Sequence, residues 1–248
     1  MRFLGLLVGV GFLALPGPSA FAGEVSVAVA ANFTKPAEEV GKAFTAATGH
    51  TVVFSFGATG LLYAQISQAA PFEVFLSADS KHPAQAVTDG LGVDGTVFTY
   101  AVGKVVLYSP SIDVTDGEAV LKAGAFQHIA IADPNTAPYG RAGLEVVGKL
   151  GLTDAITPKL VTGENISQTL QFVESGNAEI GFVALSQVTG KPATQVWTVP
   201  AEDYSPILQD AVLLKTGEND PAARAFIAFL QGPEATAIIT KFGYELAQ

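Results

Sequence analysis

The chain has 248 residues, and 23 acidic against 13 basic side chains give a net charge of −10 at neutral pH. That sign excludes nucleic acid and anionic membrane surfaces as natural partners, because both require a basic face. There is no cysteine, which removes disulfides, thiolate metal sites, a cysteine nucleophile and a lipid-attachable cysteine together.

The N-terminus reads as an export signal. Arg2 supplies a positive start, Phe3 to Leu15 an apolar run, and Pro16 to Ser19 a break before Ala20-Phe21-Ala22, an A-x-A cleavage pattern. The run is too short to span about 30 Å of hydrocarbon. Residues 1–22 are therefore expected to be a cleaved signal peptide, leaving an unanchored periplasmic protein. Loss of Arg2 takes the net charge to −11. The remaining chain, about 225 residues, suffices for one large domain or two small ones.

Short β-branched runs then alternate with helical stretches, the pattern of an α/β fold with parallel strands. Val25–Val29 is a strand, followed by a helix over Pro36–Ala47 with Thr34 as its N-cap and Gly49 as its stop. Thr51–Phe56, Glu73–Ser77, Val97–Tyr100 and Lys104–Tyr108 are strands, with helices at Leu61–Ala69 and Ser80–Asp89. Thr115–Lys122 is a helix, Ile129–Ile131 a strand and Arg141–Leu150 a helix ending at Gly151. Ser167–Glu174 is a helix, and Glu179–Ala184 and Ile207–Leu214 are strands. Asp220-Pro221 opens the next helix with a capping carboxylate and a proline at the first position. Gly232-Pro233 breaks it, and a last helix runs to about Phe242. No linker separates two domains, so a two-domain chain must exchange through ordinary strands, best placed at Gly103–Pro110 and Ser205–Leu214.

Familiar catalytic and metal patterns are missing. His50, His82 and His128 are far apart and lack metal-ligand spacing. No G-x-S-x-G elbow, S-x-x-K or phosphate loop occurs, and Gly90-x-Gly92-x-x-Gly95 lies between a helix and a strand, the reverse of dinucleotide-binding order. Asn32-Phe33-Thr34 and Asn165-Ile166-Ser167 match glycosylation sequons but coincide with helix starts.

The informative feature is a set of four junctions where an extended run gives way to a helix through small neutral residues. They are Ala31-Asn32-Phe33-Thr34, Gly57-Ala58-Thr59-Gly60, Ala137-Pro138-Tyr139-Gly140 and Glu164-Asn165-Ile166-Ser167. The first turn of a helix offers unpaired N–H groups and about half a positive charge, which suits an anion. Simple capping accounts for any one junction. Four at the carboxyl edges of strands, where α/β ligands gather, point to an anion site. Lys35 and Arg141 lie nearby and read as solvated charges.

These residues resemble a known family, the periplasmic molybdate-binding proteins of ABC importers. The similarity runs through Ala30–Thr34, Ser55–Gly60 with Tyr63–Ile66, Ala70–Asp79, Ala132–Pro134, Pro138–Gly140 and Gly181–Ala184. It implies a two-lobed type II periplasmic-binding-protein fold, two α/β domains joined by two crossover strands with the ligand cleft between them. Lobe one would comprise residues 24–104 and 208–248, and lobe two 105–207. The resemblance also implies oxyanion donors at Asn32 and Thr59 through side chain and main chain, and at Tyr139 and Ile166 through main-chain N–H, with Ala31 and Ala58 as secondary candidates. Some members add a tyrosine hydroxyl where this chain has Ala184, and Asn32 is the expected substitute. The ligand would be molybdate or tungstate, with molybdenum held as the oxyanion and no direct metal ligands, cofactor or catalytic residue. A monomer delivering to a membrane ABC permease is implied. The alternatives are a receptor for sulfate or another small oxyanion, an exported α/β enzyme acting on anionic substrates, and a structural domain.

Overall fold

The computed structural model describes residues 22–247, so the expected signal peptide lies outside the described residues except for Ala22. β1 (Glu24–Ala30) buries Val25, Val27 and Val29 completely. A 3-10 turn, Ala31–Phe33, leads into α1 (Thr34–Thr48). Thr34 is not the N-cap. Its hydroxyl donates to the Ala31 carbonyl at 2.8 Å inside the preceding turn, and Phe33 holds the cap position without a side-chain bond. Gly49 does stop the helix, at a φ of 77° that favours glycine.

β2 (Thr51–Gly57), α2 (Thr59–Ser67), β3 (Val74–Leu76), α3 (Lys81–Thr88) and β4 (Phe98–Gly103) follow. The next stretch runs β5 (Val105–Tyr108), α4 (Gly117–Ala123), β6 (Ile129–Ala132), α5 (Pro138–Lys149), α6 (Thr153–Ile156), β7 (Leu160–Gly163), α7 (Ile166–Glu174), β8 (Ile180–Ala184), α8 (Leu185–Val188) and β9 (Val196–Thr198). The chain ends with β10 (Ile207–Leu213), α9 (Pro221–Leu230) and α10 (Pro233–Lys241). The Asp220 carboxylate caps α9 by accepting from the Ala222 N–H. The short elements α6, β7, α8 and β9 were not expected from the sequence.

Two five-stranded sheets result, ordered β2-β1-β3-β10-β4 and β7-β6-β8-β5-β9. They are mixed rather than parallel: β10 runs antiparallel to β3 and β4, and β5 antiparallel to β8 and β9. The reason is connectivity. Lys104 alone separates β4 from β5, so the chain passes straight from the first sheet into the second. The chain leaves the first sheet along β4 and returns to it along β10, so those two strands must oppose each other. This is the two-lobed type II binding-protein architecture.

Each sheet has its own core. Phe33, Phe44, Phe226 and Leu76 fill one, and Leu107, Ile129, Ile131 and Phe182 the other. The second cluster also takes in Ala30, Ala31, Ala58 and Ala78 of the first lobe, so the lobes touch and the cleft is closed. Register sets the four junctions side by side: Ala30 pairs with Gly57, and Ala132 with Gly163. Gly140, in the first turn of α5, packs so closely that a Cβ there would overlap the Ala132 carbonyl oxygen. Gly140→Ala is therefore expected to cost about 1–3 kcal/mol of folding stability through overpacking against backbone. An unchanged denaturation midpoint would show that the start of α5 is not pinned to β6.

Candidate functional site

The four junctions converge. Asn32, Thr59, Tyr139 and Ile166 line one cavity between the lobes, together with Ala31 and Ala58. It is small, with room for about one water-sized sphere. A compact ion suits that space and a carbon-skeleton metabolite does not. The rest of the wall is Ala30, Gly57, Ala78, Ala137 and Pro138, with no charged side chain.

Each junction leaves a main-chain N–H without an acceptor. In α7, the Asn165 side chain accepts from the Ser167 and Gln168 N–H groups, which leaves the Ile166 amide outside the cap. In α5, Pro138 has no N–H, and the Gly140 and Arg141 amides both bond to the Ala137 carbonyl. Tyr139 is the residue left over. In α2, the Gly60 N–H crosses to the Thr136 carbonyl of the other lobe at 2.9 Å, while the Thr59 amide stays free. Asn32 sits inside the 3-10 turn ahead of α1. None of these four amides finds an acceptor among the described residues. All four residues are 3 % exposed or less. A buried, unsatisfied N–H costs about 1–3 kcal/mol, and such groups are rare in folded proteins.

Thr59 adds a side-chain donor. Its hydroxyl oxygen accepts from the Ala78 N–H at 3.0 Å, which leaves its own proton for the cavity. The Asn32 side chain does not do the same, contrary to expectation. Its Nδ2 donates to Gln209 Oε1 at 2.8 Å and to the Tyr244 hydroxyl at 2.9 Å, so both protons are spent away from the anion cavity. Asn32 therefore does not replace the hydroxyl missing at Ala184. Ala184 itself is fully buried, with its N–H bound to Gln187 Oε1 at 3.0 Å. The same glutamine holds the Ile166 carbonyl at 3.1 Å and so helps fix the start of α7.

A buried polar cluster lies behind the cavity. Gln209 Oε1 accepts from Asn32 and from the Tyr100 hydroxyl, and Gln209 Nε2 donates to the Tyr139 hydroxyl at 3.1 Å. The Tyr244 hydroxyl reaches the Asn32 carbonyl and Ser186, and hydrogen-bonds Tyr139 as well. Burial pushes the Tyr100 and Tyr139 hydroxyls well above the ordinary range, and pushes Tyr244 up to about 12. These phenols are neutral at any working pH. Sequence reasoning missed the cluster. Its visible signal was Gln209-Asp210 in the otherwise apolar strand Ile207–Leu213, where buried polar residues call for an explanation.

Residues 25–245 match the sequence profile of a family described as bacterial extracellular solute-binding protein. The chain belongs to that family. It is 56 % identical over 97 % of its length to the molybdate-binding protein ModA of Rhodobacter capsulatus, covering 93 % of that protein. It is 51 % identical to ModA of Azotobacter vinelandii, over 98 % of this chain and 97 % of the relative. A solved structure, the periplasmic molybdate-binding protein of Azotobacter vinelandii, superposes with a TM-score of 0.86 at 40 % identity, over 90 % of this chain and all of that one.

Neither nearby cation enters the cavity of this solute-binding protein. Lys35 Nζ donates to the Gln187 carbonyl at 3.2 Å. Arg141 lines the neighbouring depression at the cleft mouth, 3.9 Å from Asp79, whose carboxylate also binds His82. Burial raises the Asp79 carboxyl, but hydrogen bonds from His82 and Ser77 outweigh it and hold the group below its usual range. The cavity wall itself carries no charged side chain. Thr59→Ala is expected to weaken anion binding by about 1–3 kcal/mol, because one donor goes and the Ala78 N–H loses its acceptor. Thr59→Ser should bind close to wild type. Titration calorimetry reads both, and unchanged affinity in the alanine variant would remove Thr59 from the site.

Proposed function

We propose that this chain is a periplasmic receptor that captures molybdate, accepts tungstate in the same site, and delivers either to an ABC importer in the membrane. The observation that carries the reading is that four buried N–H groups without an acceptor among the described residues belong to residues that line one cavity. A wall that only donates selects a ligand that only accepts. Molybdate and tungstate are fully ionised tetrahedra near neutral pH. Phosphate keeps a proton there and would need an acceptor side chain, and the wall contains no carboxylate.

Sulfate also lacks a proton, so size is what must exclude it. A smaller tetrahedron leaves donors short of their acceptor, at about 1–3 kcal/mol for each one stranded. Two relatives at 56 and 51 % identity that carry the name molybdate-binding protein favour the larger ion. An enzymatic role would need a nucleophile or base beside the anion, and no histidine, carboxylate or lysine lines the cavity. We assign no cofactor and no catalytic residue. One chain supplies all four junctions, so a monomer is sufficient. Capture and release then amount to hinge closure and opening about the two passages between the sheets, at Lys104 and between Thr198 and Ile207.

Thermal unfolding in the presence of molybdate, tungstate, sulfate and phosphate in turn tests the assignment. A ligand at 100 times its Kd adds about 2.7 kcal/mol, which raises Tm by about 5–10 °C for a chain of this size. Molybdate and tungstate are expected to give that rise at concentrations where sulfate and phosphate do not. Stabilisation by sulfate or phosphate without molybdate would overturn the assignment.

A further inference from the structure

We propose that Gln209 is the positioning residue of the closed site: it joins the Tyr139 hydroxyl of the second lobe to the Asn32 amide of the first, and thereby slows release of the anion. The inference rests on the reading of the cavity as an oxyanion site. Gln209 is fully buried and makes a bond at each end of its amide. Its Oε1 accepts from Asn32 Nδ2 at 2.8 Å and the Tyr100 hydroxyl at 3.0 Å, and its Nε2 donates to Tyr139 at 3.1 Å. Asn32 and Tyr139 both line the cavity, one from each lobe. The side chains of two anion-binding positions are thus tied together behind the ligand by a third residue that never touches it.

Two further features show that this contact is built. The β4·β10 ladder slips at this point: Gln209 pairs with Ala101 but Asp210 pairs with Thr99, so Tyr100 bulges out opposite Gln209. Bulges re-aim side chains beside functional sites. On the same strand, a Cβ at Gly103 would overlap the Tyr139 hydroxyl and crowd Gln209 Nε2. Glycine there keeps open the space in which the two side chains meet. Gln209 is the third residue of β10, the strand on which the chain re-enters the first sheet. Gln209 lies in the first sheet and Tyr139 in the core of the second lobe, so their bond crosses between the lobes.

A double-mutant cycle on the full-length mature protein tests this, with stopped-flow association and dissociation of molybdate as the readout. Gln209→Met keeps the side-chain length and removes its polar atoms. Tyr139→Phe removes the accepting hydroxyl and keeps the main-chain N–H. Tyr139→Phe is expected to raise the dissociation rate about five- to tenfold, the worth of one neutral hydrogen bond, and Gln209→Met, which also loses the bonds to Asn32 and Tyr100, at least as much, with the association rate nearly unchanged in both. The double variant should release the ion no faster than about twice the Gln209→Met variant, because that variant has already lost the Tyr139 contact. Multiplicative effects, or a loss confined to the melting temperature of the ligand-free protein with the dissociation rate intact, would overturn the proposal. If Gln209→Met does not fold, Tyr139→Phe tests the same contact alone, and an unchanged dissociation rate there would overturn it. Wild-type protein that binds no molybdate would instead defeat the functional reading on which this one rests.

Discussion

Four amides that fold into a closed cavity with nothing to bond to are the constraint on which the rest of the structure depends. Helix geometry creates them, because the first N–H groups of any helix lack a carbonyl one turn earlier. Local capping then takes up their neighbours. Asn165 uses the second and third amides of α7, the Ala137 carbonyl uses those after Tyr139, and Thr136 reaches across the cleft for Gly60. What remains at each junction belongs to a residue of the cavity wall. The form seen here therefore carries a deficit of several bonds, and on the proposed reading a bound oxyanion makes it good.

The acidic surface makes sense in the same terms. A chain with a net charge of −10 repels anions at long range, so selectivity and affinity must both arise within hydrogen-bond distance. Alanine and glycine walls lower the local dielectric and bring the backbone close to the ligand. In such a setting neutral dipoles are worth more than in water. Arg141 and Lys35 are engaged with Asp79 and with a main-chain carbonyl, and neither contributes charge to the cavity itself.

How much of this was legible in the sequence follows from how local each feature is. Strand-to-helix junctions depend on a few adjacent residues, so the four junctions could be read locally; the family resemblance singled out Asn32, Thr59, Tyr139 and Ile166 within them, and the structure brings these to one cavity. The path of the Asn32 side chain could not be read, because its partners Gln209 and Tyr244 lie 177 and 212 residues away. Strand direction failed for a related reason: the sequence shows periodicity within a run but not the hinge that sends β4 out and β10 back. β9 and α8 have three and four residues, too few to establish any period. Thr34 has the residue type of a cap, and only the 3-10 turn before it explains why its hydroxyl turns to Ala31 instead.

The central claim is that neutral helix starts from both lobes, and no charged side chain, hold the oxyanion. Crystals grown with molybdate and measured at the molybdenum absorption edge would locate the metal centre directly. The account predicts one strong anomalous peak in the cavity, with the oxyanion's oxygens within hydrogen-bond distance of the Asn32, Thr59, Tyr139 and Ile166 amides. A principal peak beside Arg141 and Asp79 at the cleft mouth, or an empty cavity in a protein that binds molybdate in solution, would contradict it.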